Sequence, residues 1–224
     1  MDPMTLLKIA VAAAAGLFLG WRFLAMYIQE RGGRDHMLDG FFDYIAAARL
    51  SKSPWRMPRM EGLLDGSPVR VDLVPDTLVQ RALPTLWLQI LWERPQAGHL
   101  YVTIDPIGTE YMVEDEICAH SVLRTPPTWS PKTRVCGDGA DSEGLLYRLA
   151  SMDLTDYPDL KQLAVTERHL KVTLRSTRAE YSSYRFLRSA NFAADAVTPQ
   201  LIRESLDLLR AADRALEETE EATP

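Results

Sequence analysis

The chain has too few cysteines for a disulfide scaffold: Cys118 and Cys136 are its only two among 224 residues. Its 12 glycines and 14 prolines exclude collagen-like or low-complexity material. It also lacks an excess of positive charge. Lysine and arginine number 25 against 31 acidic residues, a net charge of −6, which argues against a nucleic-acid partner. What remains, 46% hydrophobic and 25% charged, is enough apolar material for one well-buried domain.

Uncharged hydrophobic runs are scarce too, with one exception near the start. From Met4 to Ile28 the chain reads MTLLKIAVAAAAGLFLGWRFLAMYI, broken by Lys8 and Arg22. A helix of about 20 apolar residues crosses a bilayer. With both cations snorkelling to opposite interfaces and Trp21 and Tyr27 at the headgroups, this run predicts a single transmembrane helix. A cleaved signal peptide fits poorly, because Phe18 or Phe23 stands where a cut site needs a small residue. A surface helix would show a one-sided apolar stripe, and this run is apolar all round. Arg22 lies near the far end of the run and Arg31 and Arg34 follow it, so the positive-inside rule sets the large domain in the cytoplasm of an inner-membrane, single-pass protein.

Residues 37–51 carry Leu38, Phe41, Phe42, Ile45 and Arg49 at helical spacing and predict a short amphipathic helix. A basic, proline-broken linker follows. Its Lys52, Trp55, Arg56 and Arg59, together with Arg49, suit an anionic lipid surface or a solvated tether. The expected organisation is an anchor over 1–29, a juxtamembrane helix and linker over 30–59, a globular domain over 60–216 and an acidic tail over 217–224.

Within that domain, Asp65-Gly66 marks a hairpin, and Val69, Val71 and Leu73 alternate with polar residues. Thr85 to Trp92 reads as a central strand, and His99 to Ile104 as another. Residues 121–139 read as loop. A helix capped by Asp141 or Ser142 runs to Met152. A second hairpin turns at Glu167-Arg168, a further strand follows over 179–187, and Thr198-Pro199 starts a last amphipathic helix. Strands and helices in that order predict an α+β fold: a mainly antiparallel sheet with two or three packing helices behind the transmembrane segment.

Chemistry is thinly marked. The glycine-rich stretch 135–144 lacks the lysine and hydroxyl of a phosphate loop, and Asp138, Asp141 and Glu143 would repel a phosphate. Glu114, Glu116, Cys118 and His120 alternate on one strand face. Of these, Glu116, Cys118 and His120 are weak metal candidates, since residues of one straight strand diverge too far to close on an ion. No G-x-S-x-G occurs, and the four histidines are scattered. The sequence implies no cofactor and no catalytic residue.

These features predict a non-catalytic accessory, assembly or scaffolding subunit of a larger bacterial-type inner-membrane complex. Its partners are the bilayer and other membrane-protein subunits, with homo-oligomers allowed. Gly16 and Gly20 sit on a small-residue face of the first helix, and Arg22 could pair with a partner's carboxylate there. A tethered ligand-binding or enzymatic domain, metal-dependent or not, and an anionic-lipid sensor are the alternatives.

Overall fold

A computed structural model describes residues 3–53, 56–76, 83–105, 121–181, 184 and 190–217. A long helix, α1 (Pro3–Arg34), opens the chain, and a 3-10 turn at Asp39–Asp43 follows it. Strands β1 (Ala46–Ser51), β2 (Arg59–Leu64), β3 (Ser67–Asp76), β4 (Thr85–Glu93), β5 (Leu100–Ile104), β6 (Val122–Leu123) and β7 (Thr133–Gly137) come next. After them stand helix α2 (Gly139–Leu149), strands β8 (Leu160–Val165) and β9 (His169–Arg178), and helix α3 (Pro199–Glu217).

The nine strands among the described residues form one sheet in the order β1-β2-β3-β4-β9-β8-β5-β7-β6, each neighbour antiparallel to the next. β1 to β4 make a meander. The β8–β9 hairpin then inserts between β4 and β5. The turn between β2 and β3 uses Asp65 at φ 48° and Gly66 at φ 85°, the left-handed pair that a two-residue hairpin with right-handed strand twist requires. Alternation in the strands sends Val69, Val71, Leu73, Leu86, Leu88, Ile90, Trp92, Leu170, Val172 and Leu174 to one face, where they join the main core.

α3 closes that face. Thr198 Oγ1 accepts the Leu201 N–H at 3.1 Å and caps its first turn. Leu201, Ile202, Ser205, Leu208, Leu209, Ala212 and Leu216 are buried on the side toward the sheet. Each fully buried leucine contributes about 1.5–3 kcal/mol. α2 adds Leu145 and Leu149 to the same core, and the turn after α1 adds Leu38 and Phe41.

The α+β expectation is corrected by this architecture, which is mostly a nine-stranded antiparallel sheet with few helices. Segments read as helix or loop contribute strands. The helix expected over 37–51 is instead the 3-10 turn and β1, and the expected loop over 121–139 holds β6 and β7. At β1 the packing explains the outcome. Gly62 of β2 lets the neighbouring chain approach so closely that an added Cβ would lie 2.7 Å from the Ala46 carbonyl oxygen, so the alanines at 46–48 lie against β2.

The expected membrane span is also corrected, and with it the single-pass inner-membrane placement and its cytoplasmic domain. Among the described residues, no helix is long and apolar enough to cross a membrane. α1 has 32 residues, but its charge-free stretch, Ile9 to Trp21, rises only about 20 Å at 1.5 Å per residue. A hydrocarbon core is about 30 Å thick. The strand expected over 179–187 falls largely outside the described residues, as does the tail over 218–224.

Candidate functional site

Two surfaces carry polar or apolar side chains that the helix-covered core does not use: the back of the sheet and α1. The back is built by the strand residues that alternate with the core set. One row runs straight across it in register: Arg59, Asp72, Gln89, Thr173, Gln162, Thr103 and Arg134. Single-sequence reading misses this row. Each strand contributes a single residue to it, and the row exists only once the strand order is known.

The row differs from one end to the other. In its middle, Thr173, Gln162 and Thr103 are 0%, 1% and 2% exposed. The hydroxyls of Thr103 and Thr173 are buried there, and no described group bonds to them. The adjoining Trp87 indole N–H is in the same state. At the β2–β3 end the row opens to solvent. Arg59 Nε donates to Asp72 Oδ1 at 2.5 Å, and Arg70 Nε lies 2.8 Å from Asp72 Oδ2. The Arg70 contact is an ion pair without hydrogen-bond direction, since its Nε is buried and its N–H has no acceptor in line. One carboxylate thus serves two guanidinium groups.

On the helix side, two ion pairs tie α3 to the β2–β3 turn and the end of β4. Arg210 grips Asp65 through Nε and Nη2 at 2.8 and 3.1 Å. That grip holds the Asp65 carboxyl below its usual range. Arg94 donates to Asp213 at 3.1 Å and to Ser67 Oγ at 2.9 Å, and it stacks 4.0 Å above the Trp92 ring. Burial pushes the Asp213 carboxyl up, against the pull of Arg94. Trp92 Nε1 donates to the Leu64 carbonyl at 3.0 Å. These contacts join α3, the β2–β3 turn and the end of β4.

The glycine-rich turn is filled by its own chain. Ser142 Oγ lies 2.7 Å from the His99 carbonyl and 2.8 Å from that of Asp138, and it accepts the Asp138 N–H at 2.9 Å. Asp138 Oδ1 accepts the Ser121 N–H at 2.8 Å. The start of α2 is therefore occupied by a carboxylate and a serine that brace β5 and β7. The candidate ligands Glu116, Cys118 and His120, with Glu114, lie outside the described residues. Among the described residues no three His, Cys, Asp or Glu side chains group to hold a metal ion. Cys136 is a buried thiol.

α1 brings together most of the other candidates. Gly16, Gly20, Trp21 and Arg22 are exposed along it, and no atom would touch a Cβ added at either glycine. Lys8, Tyr27 and Arg31 belong to the same helix, and Arg34 ends it half-buried. The helix meets the domain at its far end, where Gly33 lies against Ala194. Between Val11 and Arg22 every side chain is exposed, Leu17 at 77% and Trp21 at 62%. The Phe18 and Trp21 ring centroids lie 6.3 Å apart on this exposed stretch. Arg49 and Arg59 are exposed on β1 and β2, Lys52 and Arg56 are exposed on the connection between them, and Trp55 lies outside the described residues.

No protein family, no curated protein and no solved structure matches this chain.

Proposed function

We propose that the protein is a non-catalytic assembly subunit, a sheet domain that carries α1 as the docking element for a partner protein. The observation that supports this reading is the apolar surface of α1 between Val11 and Trp21, which no other described element covers. Contiguous apolar surface of that kind is rare on a finished monomer and marks an interaction site. Val11, Leu17, Phe18, Leu19 and Trp21 supply large apolar contacts. Gly16 and Gly20 let a second backbone come close. Arg22 adds one charge, so the fitting partner is an apolar helix or groove with a carboxylate set to meet a guanidinium.

The test compares the full chain with a Leu17→Glu, Trp21→Glu double variant. Both residues are exposed, so the variant keeps the unfolding midpoint of the parent. The reading expects it to lose the assembly that the parent forms when native extracts are sedimented. An unchanged sedimentation profile would contradict the assignment.

A further inference from the structure

The open end of the back face carries a second surface, chemically unlike α1. Directly paired strand residues share a face, so Arg49, Glu61 and Arg70 form one row across β1, β2 and β3, and Ser51, Arg59 and Asp72 form the next. Lys52 and Arg56 stand on the connection at the same end of the β1–β2 hairpin, where Ser51 pairs with Arg59. Five cations therefore gather around two carboxylates, and those carboxylates leave most of the positive charge unanswered. Asp72 engages only the Nε atoms of Arg59 and Arg70, whose side chains stay 49% and 43% exposed. Arg49, Lys52 and Arg56 are exposed, and none of the described residues bonds to them.

We infer that this corner of the sheet docks an extended acidic segment of a partner protein. Charge complementarity selects the occupant, because the patch is basic on a chain whose net charge is −6. The spacing selects its form. Arg59 lies diagonally across the ladder from Arg49 on one side and Arg70 on the other, a spacing of about 7–8 Å, and alternate side chains of an extended peptide repeat at about 7 Å. β1 is the first strand of the sheet order, so such a segment can run alongside it. Asp72 already illustrates the contact, one carboxylate between two guanidinium groups. This surface stands on residues separate from α1, and neither assignment depends on the other.

The test measures fluorescence anisotropy of a labelled peptide of alternating glutamate and serine, titrated with the full chain. A peptide of alternating glutamine and serine is the control. The acidic peptide should bind and the control should not, and moderate salt should weaken binding about tenfold. The Arg49→Glu, Arg56→Glu variant changes two exposed side chains and should lose binding by at least about tenfold while unfolding at the parent's midpoint. If that variant fails to fold, Lys52→Glu alone supplies the comparison, with a smaller loss expected. Equal binding by parent and variant, or equal binding of both peptides, would overturn the inference. So would sedimentation with phosphatidylserine vesicles in the absence of any peptide binding.

Discussion

α1 and α3 are the two longest helices among the described residues, and they meet opposite fates. α3 carries a one-sided apolar stripe, Leu201 to Leu216, and buries it on the sheet. Its polar side holds Arg210, which reaches back to Asp65, and even Asp213 is drawn into an ion pair with Arg94. α1 is apolar on all sides, and from Val11 to Arg22 it buries nothing. An amphipathic helix can satisfy both faces within one domain, because one face goes to the core and the other to water. A helix without a polar face has no such solution alone. α3 therefore adds its buried stripe to the domain's core, whereas α1 leaves its apolar surface exposed from Val11 to Trp21.

The largest expected effect tests that division. Leu208→Ala or Leu209→Ala in α3 should cost about 2–5 kcal/mol of stability in urea unfolding, through lost burial and a cavity. Leu17→Ala in α1 should stay within about 0.5 kcal/mol. Comparable losses in the two helices would break the distinction.

The back of the sheet is an intermediate case, buried but polar, and it sharpens what burial is worth. Thr173 is fully buried with its hydroxyl unbonded. Replacing it by the isosteric valine removes that desolvation cost, so Thr173→Val should stabilise the chain by about 1 kcal/mol. A loss of stability in the same assay would mean that the hydroxyl has a partner.

The two carboxylates that bind α3 to the sheet have smaller effects, and these run in opposite directions with pH. Asp65 titrates below its unfolded value, so its contribution is present above the ordinary carboxylate range and is lost as pH falls through its folded pKa. The pair is partly exposed, so Asp65→Asn should cost at most about 1 kcal/mol, and less in salt. Asp213 titrates above its unfolded value because burial penalises its charge. Its effect therefore favours the fold at low pH and fades as pH rises through its folded pKa. Asp213→Asn keeps an acceptor for Arg94 and should flatten that slope with little change at neutral pH. A neutral-pH loss larger than that of Asp65→Asn would show that the Arg94 pair outweighs its burial cost.

Local patterns made part of this architecture legible. Asp65-Gly66, Thr198-Pro199 and the alternation in β3, β4 and β9 carry their structure in a few adjacent residues, and the hairpin, α3 and the central strands follow from them. β1 was hidden because Leu38, Phe41, Phe42, Ile45 and Arg49 share a helical spacing by coincidence, and because the approach over Gly62 is a property of two strands together. β7 was hidden by the prolines around it. The polar row from Arg59 to Arg134 and the basic corner at β1–β3 needed the strand order β4-β9-β8-β5-β7 and the register of β1, neither of which hydrophobic periodicity encodes. Periodicity also overstated α1. The span required Lys8 and Arg22 to snorkel to opposite interfaces, and the charge-free stretch that they bound is too short without that.

The central claim is that α1 contacts another polypeptide while its own domain leaves it uncovered. A photo-crosslinking residue placed at Leu17 of the full chain, activated in cells, tests it most directly. The account predicts a crosslinked species whose added mass is a second polypeptide. Crosslinks confined to the chain's own sheet domain, or adducts to lipid alone, would contradict it.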